Sequence, residues 1–240
     1  MQSGYQNLAV YGLIIVCFFM LEYLAYSKSS NKIIGQKVPA PVFSIVLMLN
    51  IAGIVLYGLV SYSVSESPNE TYFNLPMPSK ISLIWVFLLG DVVCLISFFS
   101  AHRATGANRY PIGQGNEAEK NQPVLPAAFS TKNSVVYLIV RAIYLFAYEY
   151  FFRGVLLFSI AAFIGWFWAV VINVFLYFLL HLFSSKKEML ATIPFGFALC
   201  YVSYAWQSFF PAFILHVALC FTYEGLIFYN YFMHFKKSAL

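Results

Sequence analysis

A chain of 240 residues that is 61% hydrophobic, 20% aromatic and only 10% charged lies far from a soluble domain, which averages about 25% charged residues. It reads as an all-α, polytopic transmembrane helical bundle, because helices and closed barrels alone satisfy the backbone in lipid and the period-2 alternation of a barrel is missing from the sequence. The formal charge of +5 is no nucleic-acid footprint: the basic residues stand in short loops beside apolar runs, as topology determinants do.

Met1 to Asn7 carries no basic residue and so lacks the n-region of a signal peptide. Leu8–Tyr26 reads as an uncleaved first transmembrane helix, with Glu22 near its end reaching the interface. Lys28, Lys32 and Lys37 follow, then a second span, Pro41–Val64. The loop Ser65–Lys80 is broken by Pro68, Pro76 and Pro78; its Asn69-Glu70-Thr71 matches a glycosylation triplet that is common by chance. A third span, Ile81–Ala101, holds Asp91, the sole aspartate, read as a satisfied polar core residue. The polar stretch His102–Asn133 divides an N-terminal three-helix membrane unit with its cytoplasmic loop (1–131) from the core helices (132–240).

The second half opens with Ser134–Phe163, is interrupted at Ile164-Gly165-Trp166, and continues as Phe167–Phe183. That is too long for one span of about 20 residues and right for a helical hairpin. Glu149 lies 16 residues before Gly165 and His181 lies 16 after it, so both reach one depth at about 1.5 Å per residue. A short basic loop at Lys186-Lys187 precedes a span over Met189–Tyr204, an uncharged link Ala205–Pro211 able to dip into the membrane, and a last span, Ala212–Phe235. The count is seven to eight spans. Lys and Arg cluster in alternate loops, with Lys80 alone on the other side, which predicts a multi-pass protein with its N-terminus outside and its C-terminus cytoplasmic.

Three spans carry polar stripes: Tyr144, Tyr148, Glu149 and Arg153; then Asn173, Tyr177 and His181; then His216, Cys220 and Glu224. Glu149 and Arg153, four apart, share a helix face and can pair. Ionisable residues at bilayer depth are costly and usually line a cavity or pathway. A carboxylate and an imidazole form an acid–base pair able to activate water without a nucleophilic Ser or Cys, and a second His can donate to a developing oxyanion. A zinc site of His181, His216 and Glu149 is an alternative ligand set, but no His-Glu-x-x-His spacing supports it, so no cofactor is expected. The four cysteines, Cys17, Cys94, Cys200 and Cys220, lie inside apolar runs without a CxxC pair and read as packing thiols.

At these residues the sequence resembles the CAAX-protease and bacteriocin-processing (CPBP, or Abi) family. Tyr148-Glu149-Tyr150-Phe151-Phe152-Arg153 resembles its first motif, Glu-Glu-x-x-x-Arg; Tyr177-x-x-x-His181 its second, Phe-x-x-x-His; His216-x-x-x-Cys220 its third, His-x-x-x-Asn. Ile193-Pro194-Phe195-Gly196 and Phe210-Pro211-Ala212-Phe213 are similar to the family as well, and the match spans about residues 134–230. The resemblance implies an intramembrane endopeptidase acting on membrane-associated protein or peptide substrates. In that family the first Glu and the motif-two His activate water while the motif-three His and Asn hold the oxyanion. Here Tyr148 stands at the first Glu and Cys220 at the Asn. Tyr is a poor base at neutral pH, and a thiol is a weak donor beside an amide. The resemblance therefore implies Glu149 as base, His181 as its water-orienting partner, His216 as oxyanion donor and Arg153 as the positioner of Glu149, with Tyr148, Tyr177 and Cys220 as accessory residues. Two other classes fit the same residues: a non-catalytic scaffold or immunity factor that kept the cavity, and a small proton-coupled transporter using Asp91, Glu149 and the histidines.

Overall fold

Helix α1, Gln2–Ile33, turns Tyr11, Ile14 and Phe18 to the interior and leaves Leu13, Val16, Met20 and Leu24 exposed. Exposed apolar side chains recur through the computed structural model, which describes residues 2–33, 41–64, 84, 88–99, 131–182 and 186–238. Large exposed aliphatic side chains on α-helices are what a lipid-facing surface requires, since no other solvent would leave them there without cost.

Helix α2, Pro41–Gly53, starts with proline where a missing N–H costs nothing. It continues through a π-helical turn, Ile54–Val60, into Ser61–Val64. A third helix, α3, spans Leu88–Phe99 and presents Val93 and Ser97 inward. Asp91 lies off that face and is exposed, not in the core as its position in the sequence suggested.

Helix α4, Thr131–Glu149, also passes into a π-helical turn, Tyr150–Leu156, and ends as Leu157–Ile164. Gly165 then reverses the chain at φ 85°, a left-handed conformation that only glycine adopts without strain. Helix α5, Trp166–Leu180, returns along α4, so the hairpin forms at the turn that the sequence marks. Helix α6, Lys186–Trp206, packs on α5 and α7, and α7, Phe210–Ser238, packs on α4 and α6. Trp166 stacks on Tyr204 with ring centroids 4.0 Å apart, tying the hairpin turn to the end of α6.

Among the described residues there is no strand, and the fold is an all-α bundle. Three segments, Asn7–Ala25, Ser134–Ile164 and Met189–Trp206, are long and apolar enough to cross a membrane, and four shorter apolar helices accompany them. The protein is an integral membrane protein. The Asn69 triplet, Arg103, Arg109, Lys120, Lys37 and Lys80 lie outside the described residues. Glu22 differs from its reading: α1 runs eleven residues beyond it, and its Oε2 is buried in the bundle rather than set at an interface.

One aromatic core spans both halves of the chain. Tyr57, on the π-helical turn of α2, is fully buried against the π-helical turn of α4, with ring centroids 5.5 Å from Tyr148, 5.1 Å from Phe151 and 5.4 Å from Phe152. Two of these contacts are edge-to-face, the arrangement favoured by aromatic quadrupoles.

Candidate functional site

Glu149 is the last α-helical residue of α4 before its π-helical turn, and Arg153 lies within that turn. Both are fully buried. Arg153 Nη1 donates to Glu149 Oε1 at 3.4 Å and Nε stands 3.3 Å from Oε2. The Nη1 bond to Oε1 is the one hydrogen bond of the pair, and the approach of Nε to Oε2 is a charge contact without hydrogen-bond geometry. Its other side lies over the Tyr177 ring, 4.7 Å from the centroid, where the π-face replaces lost hydration of the cation.

His216 of α7 completes the arrangement: its Nδ1 lies 2.5 Å from Glu149 Oε1. The segment before α7 makes this possible. Gln207 takes φ 48°, Ser208 N–H donates to Ser203 O at 3.0 Å, and Phe209 turns fully inward against Phe146 and Tyr150. The uncharged link thus inserts an aromatic wedge and starts α7 with His216 facing α4.

His181 sits just past the end of α5, part-buried, with Nδ1 3.0 Å from Tyr177 O. It makes no hydrogen bond to Glu149; Tyr177 stands between the sites. The Tyr177 ring meets His181 edge-on at 4.7 Å and His216 at 6.1 Å. Gly196 of α6 admits this ring, for a Cβ there would lie 3.0 Å from Tyr177 Cδ1. Tyr148 is buried, its ring 6.0 Å from His216, and its hydroxyl has no hydrogen-bond partner among the described residues. Cys220 is buried one turn along α7 from His216. Among the described residues, no group of three or more His, Cys, Asp or Glu side chains is placed to hold a metal.

The π-helical turn has its own anchor. Asn173 of α5 donates through Nδ2 to Phe152 O at 2.7 Å, while Leu157 N–H bonds the same carbonyl along the helix. Asn173 Oδ1 accepts from Cys200 Sγ at 3.5 Å. A π-helical turn leaves the regular i−4 ladder, needs support from outside the helix, and is frequent at functional sites. The polar stripe of α5 thus divides its work: Asn173 fixes the backbone under Arg153, and Tyr177 fixes its side chain.

A second ion pair, half-buried, is not among the pairs read from the sequence. Arg141 Nε lies 3.5 Å from Glu224 Oε1, Arg141 Nη1 donates to Asn50 Oδ1 at 3.3 Å, and Tyr137 O–H donates to Glu224 Oε1 at 3.3 Å. Helices α4 and α7 run antiparallel, so a step of eight residues back from Glu149 to Arg141 is matched by a step of eight forward from His216 to Glu224. Four residues further along both helices, Tyr137 meets Phe228 edge-on at 5.8 Å. Arg141 was findable: it is a charge within an apolar span, the same signal that marks Arg153, and Glu224 lies in register with it.

Residues 130–222 match the family model described as Type II CAAX prenyl endopeptidase Rce1-like. The span holds Glu149, Arg153, His181, His216 and Cys220, and the CPBP/CAAX-protease resemblance read from the motifs is shown over it. No curated protein and no solved structure matches the chain.

Proposed function

We propose that this chain, whose residues 130–222 are of the Rce1-like type II CAAX prenyl endopeptidase kind, is an intramembrane endopeptidase cleaving peptide bonds of membrane-associated protein or peptide substrates. The observation that carries this reading is the hydrogen bond from His216 Nδ1 to Glu149 Oε1 at 2.5 Å, with Arg153 on the same carboxylate. A carboxylate, an imidazole and a guanidinium buried together form an acid–base centre of the type that activates water, and apolar surroundings make each charge more effective than in water. His181, joined through Tyr177, lies beside it as a second imidazole. The bilayer is the second partner, with the chain crossing it several times, N-terminus outside and C-terminus cytoplasmic.

The substitution of the first motif Glu by Tyr148 favours one other reading, a non-catalytic relative that binds substrates without cutting them. Purified full-length protein in lipid nanodiscs, incubated with a panel of lipidated tail peptides and loop peptides, separates the two. Defined cleavage products, lost in Glu149→Gln, support the peptidase; binding of the peptides without any product supports the non-catalytic relative.

A further inference from the structure

We infer that His216 Nε2, oriented by Glu149, is the atom that takes the proton from the attacking water, with Glu149 as a positioning residue; the inference rests on the peptidase reading above. Three observations lead there. First, Glu149 is closed to solvent. It is fully buried, its Oε1 is held by Arg153 Nη1 and His216 Nδ1, and its Oε2, which accepts no hydrogen bond among the described residues, is buried beside Arg153 Nε. A general base must be within reach of the proton that it abstracts, and neither oxygen offers a face to a water molecule.

Second, the geometry fixes the imidazole. A carboxylate beside a guanidinium accepts hydrogen bonds, so Nδ1 carries the hydrogen and donates to Oε1. In the neutral imidazole Nε2 is then the unprotonated nitrogen. It bonds no carboxylate or carbonyl among the described residues, the Cys220 thiol being the other side-chain partner of the ring, and His216 retains 6% exposure where Glu149 has none. A carboxylate that holds an imidazole in one tautomer and stabilises the imidazolium formed in the reaction is the division of labour known from hydrolytic triads.

Third, the position that carries a base in the resembling motifs is Tyr148, whose side chain faces His216 at 6.0 Å between ring centroids. A phenol there is a neutral donor. It can hold a water molecule toward Nε2 but cannot readily take its proton.

The step balances simply. Water oxygen forms a bond to the scissile carbonyl carbon as its proton passes to Nε2. The imidazolium returns that proton to the leaving nitrogen as the C–N bond breaks, giving a carboxylic acid and an amine. Glu149 remains an acceptor throughout.

The test uses the full-length protein in nanodiscs with whichever peptide the wild type cleaves. His216→Asn keeps an N–H donor for an oxyanion but cannot take a proton, so it is expected to lose about 10²–10⁴-fold in turnover, as His216→Ala does. Added imidazole is expected to restore part of the His216→Ala activity, while formate restores none to Glu149→Gln. Thermal melting of each variant separates lost chemistry from lost fold. Nitrogen-15 NMR of labelled histidine reads the tautomer independently, with Nδ1–H expected at His216. Turnover of His216→Asn within about tenfold of wild type, an Nε2–H tautomer, or a covalent peptide adduct on Cys220 would each overturn the inference while leaving the peptidase standing. A wild type inert toward every peptide removes the peptidase reading and the base role with it.

Discussion

Asn173 reaches from α5 to the carbonyl of Phe152 on α4, and the 2.7 Å bond pins the π-helical turn that carries Arg153. Replacing it with leucine removes one partner from a carbonyl buried in the bundle and takes the acceptor from the Cys200 thiol. Leaving such groups unsatisfied costs about 1–3 kcal/mol. Asn173→Leu is expected to lower the melting temperature in detergent and to reduce turnover beyond what the lost stability explains, because Arg153 moves with the turn. Full activity in Asn173→Leu would show that the turn holds itself.

The Arg153–Glu149 pair has no exposure on either side. Removing one partner of a buried pair costs about 3–5 kcal/mol, since the other is left as an uncompensated charge. Arg153→Ala is therefore expected to be poorly abundant and to unfold early. Arg153→Lys restores charge without the fork and is expected to fold better while remaining impaired, a difference that a melting curve and a cleavage assay read together.

Arg141 and Glu224 test whether the second ion pair is structural. Arg141→Ala strands Glu224 and is expected to destabilise strongly. Arg141→Leu combined with Glu224→Leu removes both charges and is expected to recover most of the loss, as apolar replacement of buried pairs often does. Eight residues, about 12 Å along the helix, separate this pair from Glu149, so the double variant is expected to keep its cleavage activity if it folds. A folded, inactive double variant would place Arg141 and Glu224 in the site.

Metal dependence follows from the donor set. Glu149 Oε1 is taken by Arg153 and His216, the Arg153 cation beside the carboxylate disfavours a second one, and the sequence lacks the His-Glu-x-x-His spacing. Cleavage is expected to survive chelators. Loss on chelation, reversed by stoichiometric zinc, would turn the proposed peptidase into a metallopeptidase.

The proposed orientation rests on charge. Lys and Arg accumulate in alternate loops of the sequence, from which the positive-inside rule predicts a cytoplasmic C-terminus. A reporter fused after Lys237 is expected to be active only as a cytoplasmic fusion, and external activity would reverse the topology.

The helices and the hairpin were legible because lipid makes apolar length decisive and Gly165 marks the reversal. The Glu149–Arg153 contact was legible because it is local, four residues apart on one helix. What was hidden depends on register between distant helices. Nothing in the spacing of α7 alone says that His216 falls on Glu149 while His181 stays a tyrosine away, since that choice is made by the Phe209 wedge and by the phase change of the π-helical turn. The same turn was invisible because no residue type signals it; its support comes from Asn173, on another helix. Arg141 carries the same signal as Arg153, a charge inside an apolar span, but its partner Glu224 lies on a distant helix and nothing local points to the pair.

Tyr57 closes the wall behind Tyr148 from a helix that lies outside the matched segment. In a saturation mutational scan scored by turnover, residues 11, 18 and 57 are therefore expected to cluster with the site residues rather than with the lipid-facing positions of their own helices. The boundary of the proposed site, defined by what must stay in place for it to work, then runs through the middle of α1 and α2 and not along the edge of the matched segment. A graft of residues 130–222 onto foreign membrane helices would carry every reactive group and still need a substitute for one tyrosine.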